Sequence, residues 1–348
     1  MGGLTIAVTG AAGMLGSHLV ARLAADGHDV VGVDLRDDPH PPADARHIVA
    51  DIRDGAALAR AFDGAHALVH CAAALPSYPV DQIRSITVDG TRTVLTAAHR
   101  ARVERVVHIS STAVYGLPKQ VPTPEEHPRE PVDPYSRAKA EAEEVCEEFR
   151  ARGMCLPVLR PKTFLGPGRM GLFSMLFEWA EERRNFPVLG RGDVRIQMFG
   201  MADLVDAVVL ALNAPPEIAN DVYNLGAAEF GTLREDFQAV LDAAGHGKRV
   251  VPLPAAPAFA VLRLLERTKL SPVYGRLLFK LLDDSYVDIG RATERLGFRP
   301  ALSNRDAILG TYAWWRTQRG AGTPAPGAGR TSRDPWRQGA LGLAKVFF

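Results

Sequence analysis

The sequence predicts an α/β fold: a doubly wound parallel sheet with helices on both faces, followed by a smaller mixed α/β lobe. Three observations carry that reading. Short apolar runs alternate with longer amphipathic stretches from residue 4 to about residue 160. A glycine-rich turn, Thr9-Gly10-Ala11-Ala12-Gly13-Met14-Leu15-Gly16, joins the first apolar run to the first amphipathic one. After Pro161 the rhythm breaks, and Pro and Gly punctuate the chain as far as Arg169.

The elements follow in order. Thr5 to Thr9 reads as a buried strand, and Met14 to Ala25 as a helix with Leu15, Leu19, Val20 and Leu23 on one face. Val30–Val33 and Ile48–Ala50 read as the second and third strands, Ala56–Phe62 as a helix and Ala67–His70 as the fourth strand. A long helical pattern fills Val80 to Arg100. Arg105–Ile109 is the fifth strand, Tyr135–Arg152 a helix, and Leu156–Leu159 the sixth strand. Beyond these, helices are expected over Leu172–Arg184, Leu204–Leu212, Leu233–Ala243, Ala258–Glu266, Tyr274–Leu282 and Asp306–Arg316, with a strand at Val222–Leu225. The expected division is a sheet domain over 1–165 that later segments join, a substrate lobe over 166–319, and a linker with an amphipathic tail over 320–348.

Composition narrows the function classes. The chain has 348 residues, 47% hydrophobic and 23% charged, which is ordinary for a globular protein. Lys+Arg 41 against Asp+Glu 40 gives a net charge of +1, so no basic field points to nucleic acid. Three cysteines without metal spacing point to a reducing cytoplasm and to no metal site. The N-terminus lacks the pattern of a signal peptide, and no apolar run approaches a membrane span. The tail from Trp336 to Phe348 has the amphipathic character of a segment that docks on a domain, a partner or, weakly, a membrane surface.

The glycine-rich turn has the chemistry of a dinucleotide phosphate site. Gly10 supplies a tight turn after the strand, Gly13 lets a pyrophosphate approach the backbone, and Gly16 lets helix and strand pack closely. The helix N-terminus then offers free N–H groups to the phosphates. Asp34 ends the second strand, where a carboxylate accepts both hydroxyls of a ribose and repels a 2′-phosphate, so NAD is expected over NADP; Arg36 nearby softens that preference. Asp51 ends the third strand and reads either as a neighbour of the adenine or as a helix N-cap.

Tyr135-Ser136-Arg137-Ala138-Lys139 is the second signal. Residues four apart share a helix face. An ammonium beside a phenol favours the phenolate, so Tyr135 can take a proton from a substrate hydroxyl while Lys139 tunes it. Ser111, at the end of the fifth strand, can hydrogen-bond the same hydroxyl, and strand ends are where such sheets bind ligands.

Together these stretches resemble the extended short-chain dehydrogenase/reductase superfamily, and within it the NAD-dependent epimerase/dehydratase family. Ser110-Ser111-Thr112-Ala113-Val114-Tyr115-Gly116, Leu159-Arg160-Pro161 with Gly166-Pro167-Gly168, Asp203-Leu204-Val205, Tyr223-Asn224-Leu225-Gly226 and Leu296-Gly297-Phe298-Arg299-Pro300 extend the match over residues 4 to 316. The resemblance implies a Rossmann-type sheet holding NAD, with contacts from Gly10, Gly13, Met14, Leu15, Gly16, Asp34, Leu35, Asp51, Ile52, Cys71, Ala72, Ala73, Tyr135, Lys139 and Pro161. It implies Ser111, Tyr135 and Lys139 as the catalytic set, and a homodimer formed through a helix pair.

Departures bear on the substrate. Family members that dehydrate nucleotide sugars carry Asp-Glu where this chain has Thr112 and Ala113, so a dehydratase is disfavoured. Thr87 and Thr163 stand where asparagines are usual. The arginine that epimerases place seven residues before Asp203 is Ile196 here, with Arg195 one residue earlier. Thr112, Thr163, Arg195 and Gln197 are the candidate substrate contacts. Arg183, Arg191 and Arg195 read either as diphosphate ligands or as a solvated basic surface. The leading expectation is a sugar-nucleotide epimerase resembling UDP-glucose 4-epimerase. The alternative is a dehydrogenase or ketoreductase of a hydrophobic alcohol, resembling 3β-hydroxysteroid dehydrogenases.

Overall fold

The computed structural model describes residues 3–37, 45–168, 173–256 and 282–320. Seven strands form one parallel sheet. They are β1 (Thr5–Thr9), β2 (Asp29–Asp34), β3 (Ala45–Val49), β4 (Ala67–His70), β5 (Arg105–Ile109), β6 (Val158–Pro161) and, late in the chain, Val222–Leu225. The order across the sheet runs from Val222–Leu225 through β6, β5, β4, β1 and β2 to β3. The winding reverses beside β1, and the crevice outside the strand ends there is where such sheets take ligands.

Two apolar layers cover the sheet. One face packs against α1 (Met14–Ala25), through Leu15, Leu19 and Leu23. The other packs against α2 (Gly55–Ala61) and a long helix that begins as α3 (Val80–Arg84), passes through a wide π turn at Ser85–Asp89 and continues as α4 (Gly90–Arg100). Beside it lies α5 (Pro134–Arg150), with Ala138, Val145, Cys146 and Phe149 against the sheet. The expected single helix over 80–100 is therefore continuous in path but widened in the middle.

The sixth strand is shifted relative to the expectation at Leu156–Leu159. Pro157 has no N–H to give a ladder, and the β6–β5 register begins at His108 opposite Val158.

Beyond β6, a third apolar cluster builds the lobe. It contains β7 (Phe164–Leu165), α6 (Phe173–Glu181) and β8 (Phe186–Leu189). The chain then returns to the sheet. After β9 (Phe199–Gly200), α7 (Met201–Asn213) packs beside α1, with Leu204, Val205 and Val208 in the same apolar cluster. The short α8 (Pro216–Ala219) leads into β10 (Val222–Leu225), which pairs in parallel with β6, Tyr223 opposite Leu159. The segment 201–225 thus adds a helix and an edge strand to the large sheet. The lobe resumes with α9 (Leu233–Ala244) and β11 (Val250–Leu253), which pairs with β8. Next come α10 (Gly290–Arg295), whose Ala292 packs in the cluster of α1 and α7, and α11 (Asn304–Gly320), which packs on α9. The expected helices at Ala258–Glu266 and Tyr274–Leu282 and the tail over 320–348 lie outside the described residues, apart from Leu282 and Gly320. Among the described residues no helix is long and apolar enough to cross a membrane.

Candidate active site

The turn after β1 is built without room for side chains. Gly10 adopts φ +73°, and its N–H donates to Val33 O at 2.8 Å. A Cβ on Gly10 would meet Ala72 N at 2.8 Å, and one on Gly16 would meet Gly10 O at 2.0 Å. The N-cap of α1 is Gly13, and no side chain caps that end. The partial positive charge of that helix end favours an anion. Asp34, at the tip of β2, accepts from Ala12 N and from Arg36 N, each at 3.1 Å. A carboxylate has about four acceptor sites, so lone pairs remain for ribose hydroxyls. Arg36 leans back toward Asp34 at 3.7 Å and donates to Ala12 O at 3.2 Å.

The glycine cradle, the uncapped helix end and the carboxylate fit a dinucleotide. Cys71, Ala72 and Ala73 follow β4, with Cys71 N donating to Thr9 O at 3.1 Å. Burial pushes the Cys71 thiol up to about 12, although Lys139 pulls the other way, so it stays protonated. Met14 and Leu15 are buried in the first turn of α1, Ile52 is buried beside Gly90, Leu35 is exposed, and Pro161 closes β6.

Asp51 is claimed by Arg53, whose Nη2 lies at 2.5 Å, and that bond holds its carboxyl below the usual range. The N-cap of α2 is instead Asp54, which accepts from Ala56 N and Ala57 N. The N-cap reading of Asp51 is thus excluded.

Ser111 lies just past the end of β5, and Tyr135 and Lys139 lie in the first two turns of α5. Asp133 caps α5 by accepting from Ser136 N at 2.7 Å, and Ser136 Oγ accepts in return from Asp133 N at 2.9 Å. Pro134 follows at the first helical position, where its missing N–H costs nothing. This cap fixes the first turn and with it Tyr135, which is half-buried. One turn on, Lys139 is buried, and its Nζ donates to Ile109 O at 2.8 Å. Burial lowers the Lys139 ammonium to about 8, against the pull of Cys71, Glu143 and Cys146. Ser111 caps the short 3-10 turn Thr112–Tyr115, its Oγ accepting from Ala113 N at 3.1 Å. Thr112 Oγ1 donates to Pro161 O at 3.4 Å.

The substrate candidates separate. Arg195 is exposed, and its guanidinium lies 4.8 Å from the Phe230 ring and 5.3 Å from the Tyr286 ring. Thr163 is exposed. Gln197 is fully buried, and its amide is bound to the main chain at both ends. Nε2 donates to Ala227 O at 2.7 Å, and Oε1 accepts from Val287 N at 3.0 Å. It ties the lobe together and is not available at the cleft, which corrects its place among the substrate contacts. Arg191 pairs with Asp193 at 3.5 Å, and Arg183 sits in the left-handed turn after α6.

Below these residues lies a buried set, Ser110, Glu143, Arg160 and Tyr115, of which the sequence singles out all but Glu143, and those only as parts of longer motifs. The signal was present, since Glu143 follows Lys139 by four residues. Among the described residues no three His, Cys, Asp or Glu side chains converge as a metal set.

The profile of the NAD dependent epimerase/dehydratase family matches residues 6–226. An uncharacterised protein of Sinorhizobium fredii, y4nG, is 32% identical over 97% of this chain and 85% of its own length. A UDP-glucose 4-epimerase of Mycolicibacterium smegmatis is 30% identical over 89% of this chain and 98% of its own. The crystal structure of a UDP-glucose 4-epimerase from Thermotoga maritima, with UDP-glucose, aligns at a TM-score of 0.75 with 24% identity, covering 91% of this chain and all of the other. That structural likeness establishes the α/β fold.

Proposed function

The chain belongs to the NAD-dependent epimerase/dehydratase family, and from that premise we propose that it is a sugar-nucleotide epimerase acting through transient oxidation of a sugar hydroxyl. The observation that carries the proposal is the grouping at the head of α5. A phenol and a buried ammonium stand one helical turn apart, and the ammonium is bonded to the strand end that carries Ser111.

The glycine turn, Asp34 and Lys139 would hold NAD, which would supply reversible acceptance of a hydride. The protein's own residues manage the proton. Ser111 Oγ orients the reacting hydroxyl. Tyr135, one helical turn from the Lys139 ammonium, takes the hydroxyl proton as the carbonyl forms and returns it as the carbonyl is reduced from its other face. Lys139 would also hold the nicotinamide ribose. Thr112 and Ala113 supply no acid to expel water, so the ketone is reduced again and not dehydrated. Arg195, stacked on two rings at the exposed side, supports recognition of a nucleoside diphosphate. Likeness to a UDP-glucose 4-epimerase along nearly its whole length supports the same substrate class.

Tyr135→Phe tests the chemistry. Turnover is expected to fall by about 10²–10⁴-fold, with NAD affinity measured by calorimetry unchanged; retained turnover refutes the assignment. Incubation with UDP-, GDP- and dTDP-sugars, read by chromatography and at 340 nm, tests the reaction. Interconversion of sugars without net NADH supports the epimerase. NADH accumulating with a hydrophobic alcohol points instead to the dehydrogenase.

A further inference from the structure

Three buried residues beneath the site have no part in the proton transfer, yet they are bonded to both of its halves. Tyr135, Lys139 and Glu143 form a stripe at i, i+4 and i+8 on α5. Along this stripe the helix grips consecutive residues at the end of β5. Lys139 Nζ donates to Ile109 O at 2.8 Å, Ser110 Oγ donates to Glu143 Oε1 at 2.5 Å, and the next residue is Ser111. From β6, Arg160 donates to Glu143 twice, through Nε at 2.9 Å and Nη2 at 2.5 Å. Arg160 Nη1 donates to Tyr115 Oη at 2.7 Å, at the far end of the turn that Ser111 caps. Tyr115 Oη donates in turn to Asn224 Oδ1 of β10 at 2.8 Å.

A buried ion pair is a poor device for stability alone. Desolvating both charges costs about what their attraction returns, and apolar residues of similar volume often do as well. What this pair adds is geometry. It joins the helix that carries Tyr135 and Lys139, the strand end that carries Ser111, and the next strand of the sheet.

We propose that Ser110, Glu143 and Arg160 are positioning residues for the reaction, clamping α5 to the strand end that leads into the Ser111 turn so that phenol, ammonium and hydroxyl keep their separation. The proposal rests on the reading that Tyr135, Lys139 and Ser111 perform the chemistry. It assigns Glu143 a second task. The titratable groups around Lys139 are Cys71 and His70 of the β4 end, His108 of β5, and Tyr135, Glu143 and Cys146 of α5, with Arg160 and Arg129 both paired to Glu143. His70 and His108 are held neutral by burial, and both thiols are pushed up. Glu143 is thus the carboxylate in the set that opposes loss of the ammonium.

Ser110→Ala removes one hydrogen bond and no charge. The expected result is a kcat lower by about five- to tenfold, about 1 kcal/mol, with KM and NAD affinity within twofold and Tm nearly unchanged; Ser110→Thr restores the rate. Glu143→Gln keeps the shape and removes the charge. Its expected result is a lower-pH titration of Lys139, followed by NMR of lysine-labelled, NAD-free protein, which is tractable because the chain has seven lysines. The alkaline limb of kcat moves the same way. Should Glu143→Gln fail to fold because Arg160 is left unpaired, Ser110→Ala decides alone. A wild-type kcat in Ser110→Ala, or a loss matched by an equal loss of folded protein, overturns the proposal while an inactive Tyr135→Phe leaves the functional reading standing. Turnover by Tyr135→Phe overturns that reading itself.

Discussion

Gly16 and Gly310 show how one residue type carries opposite consequences. A methyl group at Gly16 would lie 2.0 Å from Gly10 O and 2.9 Å from Ala11 Cα, both main-chain atoms that cannot step aside. Gly310 lies on the exposed side of α11, and a methyl group there meets nothing within 4 Å. Gly16→Ala is therefore expected to cost about 1–3 kcal/mol of stability and to abolish NAD binding. Gly310→Ala is expected to add about 0.5–1 kcal/mol by raising helix propensity. Denaturant unfolding with and without NAD measures both, and a stable Gly16→Ala protein that binds NAD normally contradicts the first. The same scale shows what a sequence can disclose about a site. Tyr135 and Lys139 were legible because their geometry is set within one helix. Gln197 was not, because its burial depends on Ala227 and Val287, 30 and 90 residues away.

Helix α5 is the element on which the site turns, and its start is fixed by a capping box. The Asp133 carboxylate and the Ser136 hydroxyl satisfy each other's main-chain N–H groups, and Tyr135 sits between them. Asp133→Ala is expected to cost about 1 kcal/mol of stability. Because the freed turn carries the phenol, kcat should fall by more than the folded fraction does. Asp133→Ser, which can still cap, should recover both. Steady-state kinetics beside thermal unfolding separate the two effects, and a kcat that simply tracks the folded fraction counts against the cap as a positioning device. Elements with strong internal periodicity, such as α1 and the first, fourth and fifth strands, were legible nearly to the residue. The partner of Val222–Leu225 was not, since a short apolar run says nothing about which edge it joins. The π turn at Ser85–Asp89 also escaped, because one inserted residue barely disturbs a helical pattern.

At the scale of the molecule, the lobe is fastened through Asn304 at the head of α11. Its Oδ1 accepts from Met198 N at 2.7 Å, and its Nδ2 donates to Ile196 O at 2.7 Å and to Asp236 Oδ2 of α9 at 2.9 Å. One side chain thus joins α11, α9 and the stretch that leads through β9 back to the sheet. Asp236 is buried, and that burial raises its carboxyl to about 6, although the bond from Asn304 opposes the rise. The folded state therefore holds a proton that the unfolded chain has already released between about pH 4 and pH 6. Stability contributed by this group is present below that window, is lost as pH rises through it, and stays lost above. At neutral pH the molecule carries an ionised carboxylate where a neutral amide would serve the same bond. Asp236→Asn is expected to stabilise the protein by about 1–2 kcal/mol at pH 7.5, or a few degrees in Tm, and by nothing at pH 4. Thermal unfolding of both proteins across that range is the measurement. An equal shift at both pH values, or none, means that the carboxylate is paid for by a contact other than the one from Asn304.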